Sequence, residues 1–258
     1  AVPPVFAVAD GMGGHLGGAQ ASSKAVITLR EFLSPQRLGN RSVDLVDLSV
    51  AIDAAATAVA SLASVDNPMS APGTTLSGLM VLRTAEGPYW LSFNVGDSRA
   101  YVVGGGGIRQ LTHDHSALQE ARDLAATSGA PRVIPPANVV TKALGAGQVG
   151  CVKADYTIMP LEDGDRAVIC TDGVHGVLSD SRIHEVVADG DGPQGTADRL
   201  VRASLEAGTR DNATAVVVYA GTKSRVTLTM NVMNRMIQPV RPASIETARR
   251  VPRREGGN

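Results

Sequence analysis

Aromatic residues are scarce: Phe, Trp and Tyr together make up 3% of the 258 residues, and there is one tryptophan. A core of this chain must therefore be aliphatic and alanine-rich, drawn from a hydrophobic fraction of 43%. Cysteine is nearly absent. Cys151 and Cys170 form no Cys-x-x-Cys or Cys/His cluster, which argues against a disulfide scaffold or a thiolate zinc site. Cys170, beside Ile169 in an apolar run, reads as a packed, reduced thiol. No apolar run approaches the ~18 residues of a membrane-spanning helix, and no signal-peptide pattern opens the chain. Neither sign of charge dominates, with 24 basic against 25 acidic residues. That balance gives no reason to expect a nucleic-acid or membrane-surface partner.

What is present is a repeated shape. VFAVADGMGGH (5–15) runs five apolar residues into an aspartate and then into glycine. AVICTDG (167–173) does the same, and DNATAVVVY (211–219) reverses it. The surrounding pattern predicts a strand at 5–9 and a helix at 19–33 with Val26, Leu29 and Leu33 on one face. A second helix is predicted at 43–63, where Leu45, Leu48, Ile52, Ala55, Val59 and Leu62 recur at 3,4,3,4,3 spacing. Strands follow at 75–83, 89–95 and 99–103, then four glycines at 104–107 that suit a hairpin tip. A helix at 116–128, strands at 139–143, 152–158 and 166–171, helices at 181–188 and 195–207 and a last strand complete the series. Strands and helices come in groups rather than alternating, which points to a layered α+β fold.

A carboxylate at the end of a buried strand is costly to desolvate unless something compensates it, and several together repel. Each Asp could cap a turn on its own, or they could share a cation. Asp10 and Asp172 are each followed by Gly, which lets the backbone turn sharply and bring a carbonyl near whatever the carboxylate holds. An oxygen-only donor set suits hard cations such as Mg²⁺ or Mn²⁺. Rival readings of the first glycine loop fail on spacing: after Gly11 and Gly13, Leu16 breaks Gly-x-Gly-x-x-Gly, and no Gly-Lys-Ser/Thr or Gly-x-Ser-x-Gly occurs in the chain.

DGMGGH (10–15), GTTLSGLMV (73–81), NVGDSRAYVV (94–103), LTHDHS (111–116), VVTKALG (139–145), ICTDGVHGVLSD (169–180) and RDNATAVVV (210–218) occur in that order. In this the chain resembles the PPM family, the metal-dependent serine/threonine protein phosphatases of type 2C, in their bacterial form. The resemblance covers residues 5 to 219. It implies a four-layer α-β-β-α sandwich with two central antiparallel sheets and a metal site at one edge. It implies two Mg²⁺ or Mn²⁺ ions and a third, weaker one. Asp10 would bridge two ions, the Gly11 carbonyl would hold the second, Asp172 and Asp211 would complete the first, and Asp97 with Asp172 would hold the third. The activity implied is hydrolysis of phosphoserine and phosphothreonine in proteins by a metal-activated bridging water, without a covalent phosphoenzyme. The implied setting is a cytoplasmic monomer that counteracts a bacterial Ser/Thr kinase, with phosphorylated proteins as partners, no nucleic acid and no membrane span.

Two features depart from the family pattern. The Arg-x-x-Asn-Glu-Asp motif of its first strands, whose Arg grips phosphate, is missing, and the chain starts at Ala1, so an N-terminally incomplete phosphatase domain is expected over 1–222. Met12 stands where many eukaryotic members carry a His proposed as general acid; His15 is the nearest alternative proton donor, while His113, His115, His175 and His184 read as solvated or turn-stabilising. Residues 223–238 read as an extra strand or linker. Residues 239–258, with Arg241, Arg249, Arg250, Arg253 and Arg254, read as a disordered basic tail. The alternative function is a catalytically impaired pseudophosphatase, a metal-binding regulatory or interaction module.

Overall fold

In a computed structural model the described residues are 5–64, 71–128, 134–136, 138–147, 152–190, 192–221 and, for the backbone, 230–235. The chain runs β1 (Val5–Val8), β2 (Gly11–Met12), α1 (Gly14–Phe32), α2 (Pro35–Leu38), α3 (Leu45–Ala60), β3 (Gly73–Thr74), β4 (Leu76–Thr84), β5 (Gly87–Val95) and β6 (Arg99–Gly104). It continues β7 (Gly107–Gln110), α4 (Ala117–Ser128), β8 (Leu144–Gly145), β9 (Asp155–Pro160), β10 (Arg166–Cys170), α5 (Asp172–His175), α6 (Asp180–Ala188), α7 (Pro193–Glu206), β11 (Ala213–Tyr219) and β12 (Met230–Arg235).

Two antiparallel sheets carry the fold. One has the order β1-β4-β5-β9, the other β12-β11-β10-β6-β7. Each inner strand is buried on both faces, so successive side chains go to different layers and those two apart share one. In β10, Ala167 and Ile169 pack between the sheets with Phe6, Val8, Leu79, Val81 and Trp90. Val168 and Cys170 pack outward against Val174, Ile183, Leu200 and Val201 of α5–α7. On the other side Leu76, Met80, Leu91 and Phe93 pack outward against Ala21, Ala25, Leu48, Ile52 and Val59 of α1 and α3. The result is the expected α-β-β-α order of layers. It also explains why the apolar runs show no polar alternation: neither face meets water.

Several predicted elements shift. Helix α1 begins at Gly14, not at residue 19, and runs through the glycines. A Cβ on Gly18 would stand 2.6 Å from the carbonyl oxygen of Gly11. These glycines therefore belong to a helix whose first turns press on the backbone of β2. The inward face of α1 is Ala21, Ala25 and Leu29, while Val26 is 40% exposed. Small residues are needed where α1 crosses close to its neighbours, and their weak hydrophobicity hid the face. Helix α3 is shorter than the predicted 43–63; it buries Leu48, Ile52, Ala55 and Val59 of the stripe, while Leu45 is 42% exposed in the first turn and Leu62 lies beyond its end. Asp44 and Asp47 close a capping box there, with Asp47 N–H donating to Asp44 at 2.8 Å. Residues 139–143 form no strand. Val140 makes one isolated bridge to Ser116, and the pairing strand is β8, against Gly73–Thr74. The four-residue helices α2 and α5 and the short strand β7 were not anticipated; each is too short for a periodic signal. Strand β12 lies on β11, with Ala213 opposite Arg235. Residues 239–258 lie outside the described residues. Among those described, no helix is long and apolar enough to cross a membrane.

Candidate metal centre

The register places four aspartates at one end of the sandwich. Val8 of β1 pairs with Ser77 at the start of β4, and Val95 at the end of β5 pairs with Leu76. Asp10 and Asp97 therefore leave the first sheet at the same end, from the two strands that flank β4. In the second sheet, Cys170 at the end of β10 pairs with Ala215 near the start of β11 and with Arg99 at the start of β6. Asp172, Asp211 and Asp97 thus share that end too. The β5–β6 turn passes from one sheet to the other, and Asp97 sits on it.

The backbone of Asp10 is fixed by GTT. Asp10 N–H donates to the Thr75 hydroxyl at 2.9 Å, and the Asp10 carbonyl accepts from Thr75 N–H and from the Thr74 hydroxyl, both at 2.8 Å. Thr75 Oγ1 also lies 2.8 Å from Ser98 Oγ, next to Asp97. Ser77 donates to the Ser98 carbonyl at 2.8 Å and to Asn94 Oδ1. This buried ladder of small polar residues ties both sheet ends to the carboxylates.

The electrostatics are those of crowded, partly desolvated acids. Burial first, then the Asp172 carboxylate within hydrogen-bonding reach, and then Asp211 and Asp97 push Asp10 up to about 8. Asp172 is also raised, chiefly by burial, with the Asp211 charge adding to it. Asp97 is raised to about 6 by burial and by Asp172 and Asp114. Asp211 is exposed, and its Oδ1 accepts Asn212 N–H at 2.7 Å, so it also serves its own turn. Among the described residues no three His, Cys, Asp or Glu side chains close into one compact ligand group. The four converge at charge-interaction range, with Asp10 and Asp172 the close pair.

One atom tests whether a cation fits: Asp172 Oδ1 is buried and has no hydrogen-bond partner. An orphaned carboxylate oxygen beside a second carboxylate is costly. A hard cation would satisfy that oxygen and offset the repulsion, and the donors here are oxygens throughout. The residues therefore fit Mg²⁺ or Mn²⁺. Gly11 follows Asp10 directly, its carbonyl facing the start of α1.

The histidines divide between the surface and the turns they hold. The backbone of His15 opens α1, but its side chain lies outside the described residues. His113 is exposed and pairs with Asp123 of α4 at 2.8 Å. His115 is not solvated: its ring is 11% exposed and contacts Gly96 and Asp155. His175 is held neutral, lowered to about 4 mainly by burial, and its Nε2 lies 3.0 Å from the Asp97 carbonyl. Asp114 forms a bidentate ion pair with Arg99, as close as 2.7 Å. Thr74, Thr75, His115 and His175 had no distinguishing signal beyond their places in the motifs. Cys170 is fully buried and its thiol is pushed up to about 12 by burial, so it is no nucleophile.

Comparison with known proteins gives the family. The family model for protein phosphatase 2C matches residues 3–206. The chain belongs to the protein phosphatase 2C family. It is 28% identical over 214 residues to the serine/threonine protein phosphatase PstP of Mycobacterium tuberculosis, covering 83% of this chain and 40% of that protein. The chain thus spans two-fifths of the length of that relative. Its fold matches the serine/threonine phosphatase of S. agalactiae with a TM-score of 0.70 at 28% identity, over 83% of this chain and 87% of the other. It also matches the catalytic domain of PstP in complex with two manganese ions, with a TM-score of 0.66 at 29% identity, over 83% and 86% of the two chains.

Proposed function

We propose that this chain is a divalent-cation-dependent phosphatase that removes phosphate from phosphoserine and phosphothreonine in proteins, opposing a bacterial Ser/Thr kinase. The carrying observation is Asp172 Oδ1, buried and unpartnered beside Asp10 at the meeting point of both sheets. Similarity to PstP and its relatives supports the substrate class, and the manganese complex of PstP supports the cation.

Asp10, the Gly11 carbonyl, Asp172 and Asp211 are the proposed ligands of two Mg²⁺ or Mn²⁺ ions, and Asp97 with Asp172 those of a weaker third. Bound there, the cations supply an acidified water and positive charge beside the phosphoryl oxygens. The chain supplies position. Thr74 and Thr75 hold Asp10 by three hydrogen bonds, so its carboxylate cannot swing away with the loop. His175 stays neutral and contacts the Asp97 carbonyl, adding no positive charge to compete for the carboxylates. The exposure of Asp211 and Gly11 leaves one side of the cluster open, as a phosphorylated protein side chain requires. A cytoplasmic monomer is the setting proposed.

The test is hydrolysis of a phosphothreonine peptide with Mn²⁺, with EDTA, and by Asp172→Asn with Mn²⁺. Turnover with Mn²⁺ is expected, with none in EDTA and a loss on the order of 10²-fold or more in the variant. Equal turnover in EDTA would refute the proposal.

A further inference from the structure

The turn that carries Asp97 is held from outside the acidic cluster by His115. Gly96 N–H donates to His115 Nδ1 at 3.0 Å, and His115 N–H donates to the Gly96 carbonyl at 2.9 Å. Asn94 Nδ2 donates to the same carbonyl at 2.9 Å. Both polar groups of Gly96 are thus occupied, and Gly96 itself has φ +109°, where a Cβ would stand 2.6 Å from Thr75 Cγ2. Glycine takes that φ freely, so the direction of the turn is set by these hydrogen bonds and by the close packing of Thr75.

The imidazole is itself oriented. Nδ1 accepts an amide hydrogen, so it carries no proton, and the ring hydrogen must be on Nε2. Nε2 lies 3.1 Å from Asp155 Oδ2, and the other oxygen of Asp155 accepts from Lys142 Nζ at 2.9 Å. Thr141 N–H donates to the His115 carbonyl at 2.9 Å and Lys142 Nζ lies 3.4 Å from His115 Nε2, so the segment bearing Lys142 meets the same residue twice. The chain of contacts runs Lys142, Asp155, His115, Gly96, Asp97. It links β9, at the far edge of the first sheet, and the 138–147 segment to one carboxylate of the centre.

We infer that His115 is a positioning residue for Asp97: Asp155 and Lys142 fix the ring, the ring fixes the Gly96 amide, and the amide fixes the direction in which Asp97 presents its carboxylate. Such outer partners commonly change metal affinity by about 10–100-fold when removed. This inference rests on the proposal that Asp97 is a metal ligand.

The experiment is a Mn²⁺ titration of the full chain, free Mn²⁺ being read by its electron paramagnetic resonance signal, so that binding is measured without turnover. Asp97→Asn identifies the ion that depends on Asp97. His115→Ala is expected to weaken that ion about tenfold and to leave the tighter ions unchanged. His115→Asn places Oδ1 where Nδ1 stood and should recover most of the loss. Asp155→Ala, which leaves the ring in place but unoriented, should fall between them, and with His115→Asn it carries the test if His115→Ala does not fold. Wild-type affinity in both His115→Ala and Asp155→Ala would overturn the inference alone. So would equal weakening by His115→Ala and His115→Asn. An Asp97→Asn chain that binds Mn²⁺ as the wild type does would instead remove Asp97 from the ligand set, and the positioning role would fall with it.

Discussion

Asp172 carries the most consequence of any single residue, because its charge is both the reason for the centre and its main cost. Asp172→Asn keeps the shape, removes one charge from the cluster and lets an amide nitrogen face Asp10. In EDTA the variant should therefore melt above the wild type, while its gain in melting temperature on adding Mn²⁺ should shrink to near zero. Calorimetry of the two chains with and without Mn²⁺ checks both halves. A variant that is less stable in EDTA would mean that Asp172 is structural. The shift at Asp10 has a sign that can be tested too. Its folded value, about 8, lies above the ordinary 3.8, so the folded metal-free chain holds a proton that the unfolded chain has released. That contribution is fully present below about pH 4 and lost as pH rises toward 8. Urea denaturation in EDTA should show stability from this group falling over that window in the wild type and less so in Asp10→Asn. Stabilisation by Mn²⁺ should grow over the same window, because protons compete for the ligands.

At the scale of elements, the close crossing of α1 over β2 sets where Asp10 and Gly11 lie. Gly18→Ala offers a discriminating test, because helix propensity alone would favour it by about 1 kcal/mol. The crowding of Gly11 predicts instead a net loss of about 1–3 kcal/mol, measured by urea denaturation, together with weaker Mn²⁺ binding. The strands were legible in sequence because Val, Ile and Leu runs are bounded by turn residues, and α3 because its stripe repeats at helical spacing. The start of α1 was not. Glycine normally breaks helices, and here it is retained because backbone must meet backbone. The bridge at Val140 in place of a strand was hidden for a similar reason: VVTK has the composition of a strand, but Val139 is 42% exposed and the segment crosses the LTHDHS turn instead of joining a sheet. Of the site, the aspartates were legible because a charge at the end of an apolar run needs explaining. The uncharged residues that hold them, Thr74, Thr75 and Ser98, gave no such contrast, and the partners Asp155 and Lys142 of His115 are far from it in sequence.

For the whole molecule, the sandwich works as a frame that brings four separate stretches of chain, those of Asp10, Asp97, Asp172 and Asp211, to one end. Trp90, the sole tryptophan, is fully buried between the sheets, and its Nε1–H donates to Asp165 at 2.9 Å. Its fluorescence should therefore report loss of the sheet-to-sheet core, shifting to longer wavelength in one cooperative step on unfolding, with a midpoint that Mn²⁺ raises. The central claim is that both sheets meet at a cation centre, and the most direct measurement is anomalous diffraction at the manganese edge from crystals grown with Mn²⁺. The account predicts at least two peaks among Asp10, Gly11, Asp172 and Asp211, one of them next to Asp172 Oδ1. No peak at that end of the sandwich, in crystals of a chain that hydrolyses phosphothreonine peptides, would contradict it.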